Sequence, residues 1–436
     1  MKNFFTAIVI TICSVFSLWA NNLAVGIPTK VEQNTADNYV YVQFDMSWEN
    51  SWRVSSAPYN YDGVWLFIKY KKASDGNWYH ATLNGAAENH NTGSQASRAT
   101  IQISNGKAAL YYRSTDGTGA FGSSNIKLRW EYGLDGIGDD LSSEILDVKV
   151  FAIEMVYVPE AAFYVGSGGN EENHFKTYGG NNPYLISSEL AINVGQTNGY
   201  LYYQTGNYSG DGAGPIPASY PKGYNTFWCM KYELTQEQYA FFLNTLTSTQ
   251  KTNRYSNNFN SKRYYIKNVN GVYGCDANNN NILDQENDGQ NIASNYISYA
   301  DGLAYSDWAC MRPMTELEYE KACRGTQTPI MGEFACGSYS IMYPQGIQNS
   351  KYPNECASNA EANCNYWDYY DVGGPMRVGC FAKSNTNRQE SGASYYGIME
   401  LSGNLFERTI TVGSATGRAF TGVLGDGVLD ANGNAN

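Results

Sequence analysis

This chain is poor in charge, in histidine and in basic clusters. Only 16% of its 436 residues are charged, the formal net charge is -12, and no run of Lys and Arg occurs. Such a chain is ill suited to neutralise a row of phosphates, which makes nucleic acid and anionic membrane surfaces poor partners. Histidine occurs three times, as His80, His90 and His174. Two of these fall early in the chain, so a three-histidine metal centre in the remainder is excluded, and all three read as surface or loop residues. Cysteine is absent between Cys13 and Cys229 and again after Cys380, with no CxxC pair and no Cys/His zinc spacing. Beyond the first 20 residues no apolar run is long enough to span a bilayer.

What is present starts with a leader. Lys2 gives a positive start, Phe4 to Trp19 is apolar, and Ala20 before Asn21-Asn22 offers a small-residue cleavage point. Residues 1–20 therefore read as a signal peptide, and the protein as secreted, periplasmic or cell-surface. Ile12 before Cys13 is too large for lipoprotein processing. Without Cys13, eight cysteines remain: Cys229, Cys275, Cys310, Cys323, Cys336, Cys356, Cys364 and Cys380. An even count in an exported chain points to disulfides. The 37 tyrosines, among many Asn, Gly and Ser residues, give a polar, aromatic surface. The expected partner is a protein or glycan ligand at the cell surface; compositional bias alone would give the same surface.

Length and pattern predict two domains in an α+β chain. Residues 22–152 read as an all-β, sandwich-like domain without helical periodicity. Tyr39 to Trp48, Val64 to Tyr70, Ala108 to Arg113 and Ile126 to Trp130 are strand-like, with Asp75-Gly76 and Asp116-Gly117 as turn signals. Trp48, Trp52, Trp65, Trp78 and Trp130 read as core and strand-pair aromatics, with sugar stacking as the alternative. A further strand, Val148 to Ile153, leads into residues 153–436, where helical blocks alternate with Asn/Gly/Ser-rich loops. Thr235 and Gln238 have capping-box spacing, followed by Tyr239, Phe242, Leu243 and Leu246 on one helical face. A second helix is predicted over 300–310. A third follows Pro313, with Thr315 and Glu318 as cap and Gly325 as stop.

Asp276, Asn278, Asn280 and Asp284 place oxygens at positions 1, 3, 5 and 9 of a calcium-loop pattern. Asn281 replaces the usual Gly and Asn287 the final Glu, so a solvated Asn-rich insertion remains the other reading. A more unusual stretch is Gly397 to Glu407, where Glu400 and Glu407 flank a Gly403-Asn404 turn inside an otherwise core-like run. Charged residues are rarely buried unless they are paired or hold a cation.

Four blocks, in order, resemble the formylglycine-generating (sulfatase-modifying factor) family. They are Met155 to Pro159 with Phe163 to Gly166, Met230 to Tyr239, Arg312 to Gly325, and Gly397 to Glu407. The resemblance implies a C-type-lectin-like fold rich in irregular loop, and it does not cover residues 22–152. It also implies calcium at Glu400, Gly403, Leu405 and Glu407, the two glycyl and leucyl positions through their carbonyls. A second calcium site would use Asn363 and Asp368 with the carbonyls of Cys364 and Tyr370. For the first pair, turn capping or pairing with Arg408 is the alternative. Family enzymes oxidise a sulfatase cysteine to formylglycine with copper on two cysteines, which suits soft Cu(I). That pair follows an Arg-Gly-Gly-Ser-like strand, and neither strand nor cysteine occurs here after Glu407. The expectation is an exported bacterial envelope protein, non-catalytic as given and calcium-stabilised. The alternative is an oxidase whose catalytic end lies outside this sequence, with copper only in that case.

Overall fold

The computed structural model describes residues 22–171, 174–203, 210–366 and 372–436. The expected leader, residues 1–20, lies outside them, as do Asp368 and Tyr370. The architecture is mixed and strand-rich with few helices. Nine strands open it: β1 (Ala24–Val25), β2 (Thr29–Asn34), β3 (Tyr39–Arg53), β4 (Asp62–Lys72), β5 (Trp78–His80), β6 (Ala99–Ser104), β7 (Ala108–Arg113), β8 (Gly117–Trp130) and β9 (Ile145–Val158). One short helix, α1 (Leu141–Glu144), lies among these strands. It is a single turn capped by Asp140, too short to register as a period.

The short ribbons β10 (Phe163–Val165) with β12 (Tyr184–Ile186), and β11 (Lys176–Thr177) with β13 (Leu201–Tyr202), follow. Then come β14 (Phe227–Met230), α2 (Gln236–Thr245), α3 (Ser248–Arg254), the hairpin β15 (Ile266–Val269) and β16 (Val272–Cys275), α4 (Tyr299–Trp308) and α5 (Glu316–Arg324). The ribbon β17 (Ile347–Gln348) and β18 (Cys356–Ala357) and the turn α6 (Ala415–Arg418) complete the order.

Two antiparallel sheets carry the N-terminal part. In one, β3 lies between β8 and the pair β1 and β2; in the other the order is β14-β9-β4-β7-β6, with β5 beside β4. The continuous apolar run of β4 has a physical reason. Val64, Leu66, Ile68 and Tyr70 face a core shared with Val42, Phe44, Trp48 and Trp130 of the first sheet. Trp65 and Phe67, on the other face, pack against Tyr239, Phe242 and Trp308 of α2 and α4. A strand buried on both faces shows no alternation. The 152/153 boundary falls inside β9, which pairs with β4 from Asp62↔Val156 to Lys72↔Ile145. Its C-terminal half also pairs with β14, Val156 opposite Cys229. The sheet is thus continuous between the two predicted halves. Trp65 Nε1 donates to Ala309 O at 2.7 Å and Asn60 Nδ2 to Tyr396 O at 2.6 Å across the same junction.

Both predicted capping boxes form, at Thr235/Gln238 and Thr315/Glu318. Gly325 ends α5 with φ +64°, a backbone conformation that favours glycine. Thr315 is fully buried; its hydroxyl accepts from Glu318 N at 3.1 Å and donates to Pro221 O at 2.9 Å. Thr315→Ala should therefore cost about 1–2 kcal/mol, read as a lowered urea midpoint with an unchanged m-value.

The disulfide expectation is corrected. All eight cysteines from Cys229 to Cys380 are free thiols. Cys275 and Cys310 sit in the helix–sheet core, Cys323 in another and Cys380 in a third, packed as small apolar residues. The histidine expectation is corrected in part: His80 is buried, its Nε2 2.7 Å from Lys107 O, with Cys310 Sγ 3.4 Å away. Of the tryptophans, Trp48, Trp65 and Trp130 are buried core residues, while Trp52 and Trp78 are half-buried.

Candidate functional site: a buried carboxylate cluster

The Gly397–Glu407 stretch folds as an irregular loop held by side chains rather than by a sheet. Met399 N donates to Lys231 O at 2.9 Å, which anchors it to the segment between β14 and α2. Glu400 has φ +56°, and its Oε1 accepts from Gly379 N at 2.6 Å. Ser402 Oγ accepts from Ala335 N at 2.8 Å. Gly403 has φ +111°, and a Cβ there would meet Asn365 O at 2.9 Å, so glycine is required by space and by conformation. Asn404, at φ +61°, is the hub. Its Oδ1 accepts from Met376 N at 2.7 Å and Asn365 Nδ2 at 3.1 Å. Its Nδ2 donates to Glu233, which also accepts from Leu405 N at 2.8 Å.

Three carboxylates converge here: Glu400 is buried, and Glu233 and Glu407 are half-buried with solvent-shielded atoms. Burial pushes Glu400 up to about 7, moderated by the Gly379 amide and Arg377. Burial pushes Glu407 to about 8, with Glu400 adding repulsion. Burial and then the charges of Glu400 and Glu407 raise Glu233 well above the usual carboxylate range. Glu400 Oε2 and Glu407 Oε1 are shielded from solvent and have no hydrogen-bond partner among the described residues. Neither residue forms an ion pair among those residues, so the pairing with Arg408 is not seen. Turn capping accounts for Glu400 Oε1 only.

An orphaned buried acceptor is costly, and a buried charge more so. The donor set is all oxygen, as calcium prefers, so the two free carboxylate oxygens fit a hard cation. Among the described residues no group of three or more His, Cys, Asp and Glu side chains is arranged as a metal cluster. Backbone carbonyls, as expected of Gly403 and Leu405, would have to complete such a site.

The other predicted sites look different. Asn363 is already committed: its Oδ1 accepts from Met342 N at 2.8 Å and its Nδ2 donates to Gln389 O at 2.8 Å. Cys364 directs its thiol to Ser402 O, and its partners Asp368 and Tyr370 lie outside the described residues. In the 276–284 loop, Lys267 Nζ lies 2.8 Å from Asp276 Oδ2 and also donates to Asn279 Oδ1 at 2.6 Å. Asp276 further accepts from the amides of Asn280 and Asn281, at 2.9 and 3.0 Å. Asn280 Nδ2 donates to Gln285 Oε1 at 2.6 Å, as Asn278 Nδ2 does at 3.1 Å. Asp284 Oδ1 accepts from Cys275 N at 2.8 Å. An ammonium and local amides thus serve the oxygens that the pattern offers to an ion.

Sequence reasoning missed Glu233, Asn365 and the hub role of Asn404. The signal for Glu233 was available: an acid between Tyr232 and Leu234, two residues before the Thr235 cap. It missed a second buried cluster as well. Lys231 Nζ lies 2.8 Å from Glu154 Oε2 and 3.4 Å from Asp62 Oδ2.

A strand-rich module whose irregular loops close over a Gly-Asn turn and buried acids defines the class of this protein. The sulfatase-modifying factor enzyme 1-like domain matches residues 191–423, more than half of the chain, and the chain belongs to that family. No curated protein and no solved structure matches it. The family's copper chemistry needs a thiolate pair. Burial raises the thiols of Cys229, Cys275, Cys310, Cys323, Cys336, Cys364 and Cys380, which keeps them protonated.

Proposed function

We propose that this is an exported envelope protein in which the sulfatase-modifying-factor-like module serves binding or structure, stabilised by calcium at Glu400 and Glu407. The reading includes a β-sandwich for residues 22–152 and a C-type-lectin-like fold for the module. The observation that carries the calcium reading is the pair of solvent-shielded oxygens, Glu400 Oε2 and Glu407 Oε1, that have no partner among the described residues. Calcium there would balance charge that the protein itself leaves unbalanced. Among the described residues no helix is long and apolar enough to cross a membrane. The ligand of the module is a protein or glycan at the cell surface.

Chelation tests it. A cation that binds only the folded state adds about 2.7 kcal/mol at a hundredfold excess over its Kd. Excess EGTA should therefore lower the melting temperature by several degrees, and added calcium should restore it. An identical melting curve with and without EGTA would remove the calcium reading. Family membership favours the second reading, an oxidase of a sulfatase cysteine. Formylglycine in a sulfatase-derived peptide incubated with this chain and copper would establish it.

A further inference from the structure

A cavity of about 280 Å³ lies at the junction of β9 with α2 and α4 and borders the carboxylate cluster through Glu233. One wall is aromatic: Phe67 and Phe151 stack at 5.3 Å, and Trp308 meets Phe151 edge-on at 4.9 Å. The lining also contains Glu154, Glu233 and Glu237, and no Lys, Arg or His. Glu154 is matched by Lys231 at 2.8 Å, and Glu233 accepts from Asn404 and Leu405. Half-buried Glu237 has no such match among the described residues: burial and the nearby charge of Asp284 both disfavour its ionised form. One turn later on α2, Phe241 also lines the cavity and is 41% exposed, a large aromatic left in water. The same rings already attract a cation, since Lys69 Nζ lies 5.2 Å from the Trp308 centroid and 5.7 Å from that of Phe67.

We propose that this cleft binds an organic ammonium group on an apolar stem, with Glu237 taking the charge and Phe151, Trp308 and Phe241 the stem. The chemistry follows from the lining. An ammonium gains from ring faces and from a carboxylate in a partly dry site, whereas a neutral or anionic ligand would leave the acid unmatched. The volume admits a small amine or one lysine side chain, not a folded domain. Phe67 and Phe151 precede the family-matched residues, so the site belongs to the junction, and the acid it uses, Glu237, is not one of the carboxylates of the calcium reading.

The test is calorimetric titration of the full chain at pH 7 and low salt. The probes are 1,5-diaminopentane, N-acetyl-lysine amide and, as the neutral control, 1-pentanol. Saturable binding of either ammonium probe is expected, about tenfold weaker in Glu237→Gln and several-fold weaker in Phe241→Ala. Melting curves of both variants should match the parent, and the tighter probe identifies a free amine or a lysine side chain as the source. No saturable binding of either ammonium probe up to about 10 mM, equal binding by 1-pentanol, or unchanged affinity in both variants would overturn the proposal.

Discussion

Replacing Lys231 by methionine should destabilise the protein by about 3–5 kcal/mol, since it leaves two buried carboxylates without their cation. Asp62 is completely buried, and Trp48 Nε1, Ser51 Oγ and Trp52 N already donate to it at 2.9, 2.8 and 3.0 Å. Glu154 is 6% exposed and has Lys231 at 2.8 Å. Burial raises the pKa of both acids, and Lys231 is the main force opposing it. For Lys231 itself burial acts downward, yet Glu154, Tyr232 and Asp62 outweigh it and hold the ammonium above its usual range. The cluster also ties both sheets to the later module, because Trp48 and Ser51 of β3 donate to Asp62 at the start of β4 and Lys231 follows β14. Losing the charge should therefore loosen the junction as a whole. Urea unfolding of Lys231→Met should show the lower midpoint, and the triple variant with Asp62→Asn and Glu154→Gln should recover part of the loss. A single-variant loss under about 1 kcal/mol would show that the ion cluster is not what holds the junction.

That cluster shows where the sequence is legible. Strands β3, β4, β7, β8 and β9 could be placed because each carries a run of β-branched and aromatic residues. Helices α2 and α5 could be placed because Thr235, Pro313, Thr315 and Gly325 punctuate them, and α4, expected over 300–310, forms at Tyr299–Trp308. Local chemistry is visible in a string. The sharing of β9 between β4 and β14 is not, since it depends on partners far apart in the chain. The cysteines misled for the same reason: an even count says nothing of where each thiol points, and all eight stay free, Cys275 and Cys310 within one core and Cys229 and Cys323 at another. Glu400 and Glu407 were identifiable as acids in an apolar run. Glu233 stands beside Leu234 as a comparable signal, but it precedes them by more than 160 residues, and that it shares their site shows only in three dimensions.

The buried acids give the calcium-free protein a pH dependence of unusual sign. A carboxyl whose folded pKa lies above its unfolded value contributes most when protonated, and its contribution falls as pH rises from the unfolded value through the folded one. Glu400 at about 7 and Glu407 at about 8, against an ordinary 4.5, place that window between pH 4.5 and 8. At about 1.4 kcal/mol per unit, Glu400 alone makes the loss on the order of 3 kcal/mol. In EGTA, stability should thus decline steadily from pH 5 to pH 8, the opposite of a paired surface carboxylate. The double variant Glu400→Gln, Glu407→Gln should flatten that slope and, at pH 8 in EGTA, be more stable than the parent, because it removes charge that nothing neutralises. The same variant should lose its response to calcium, which distinguishes relief of repulsion from a general gain in packing. Denaturant midpoints across pH, with and without calcium, measure all three effects. A flat or rising profile for the parent in EGTA would mean that these carboxylates are solvated and that the site has no need of a cation.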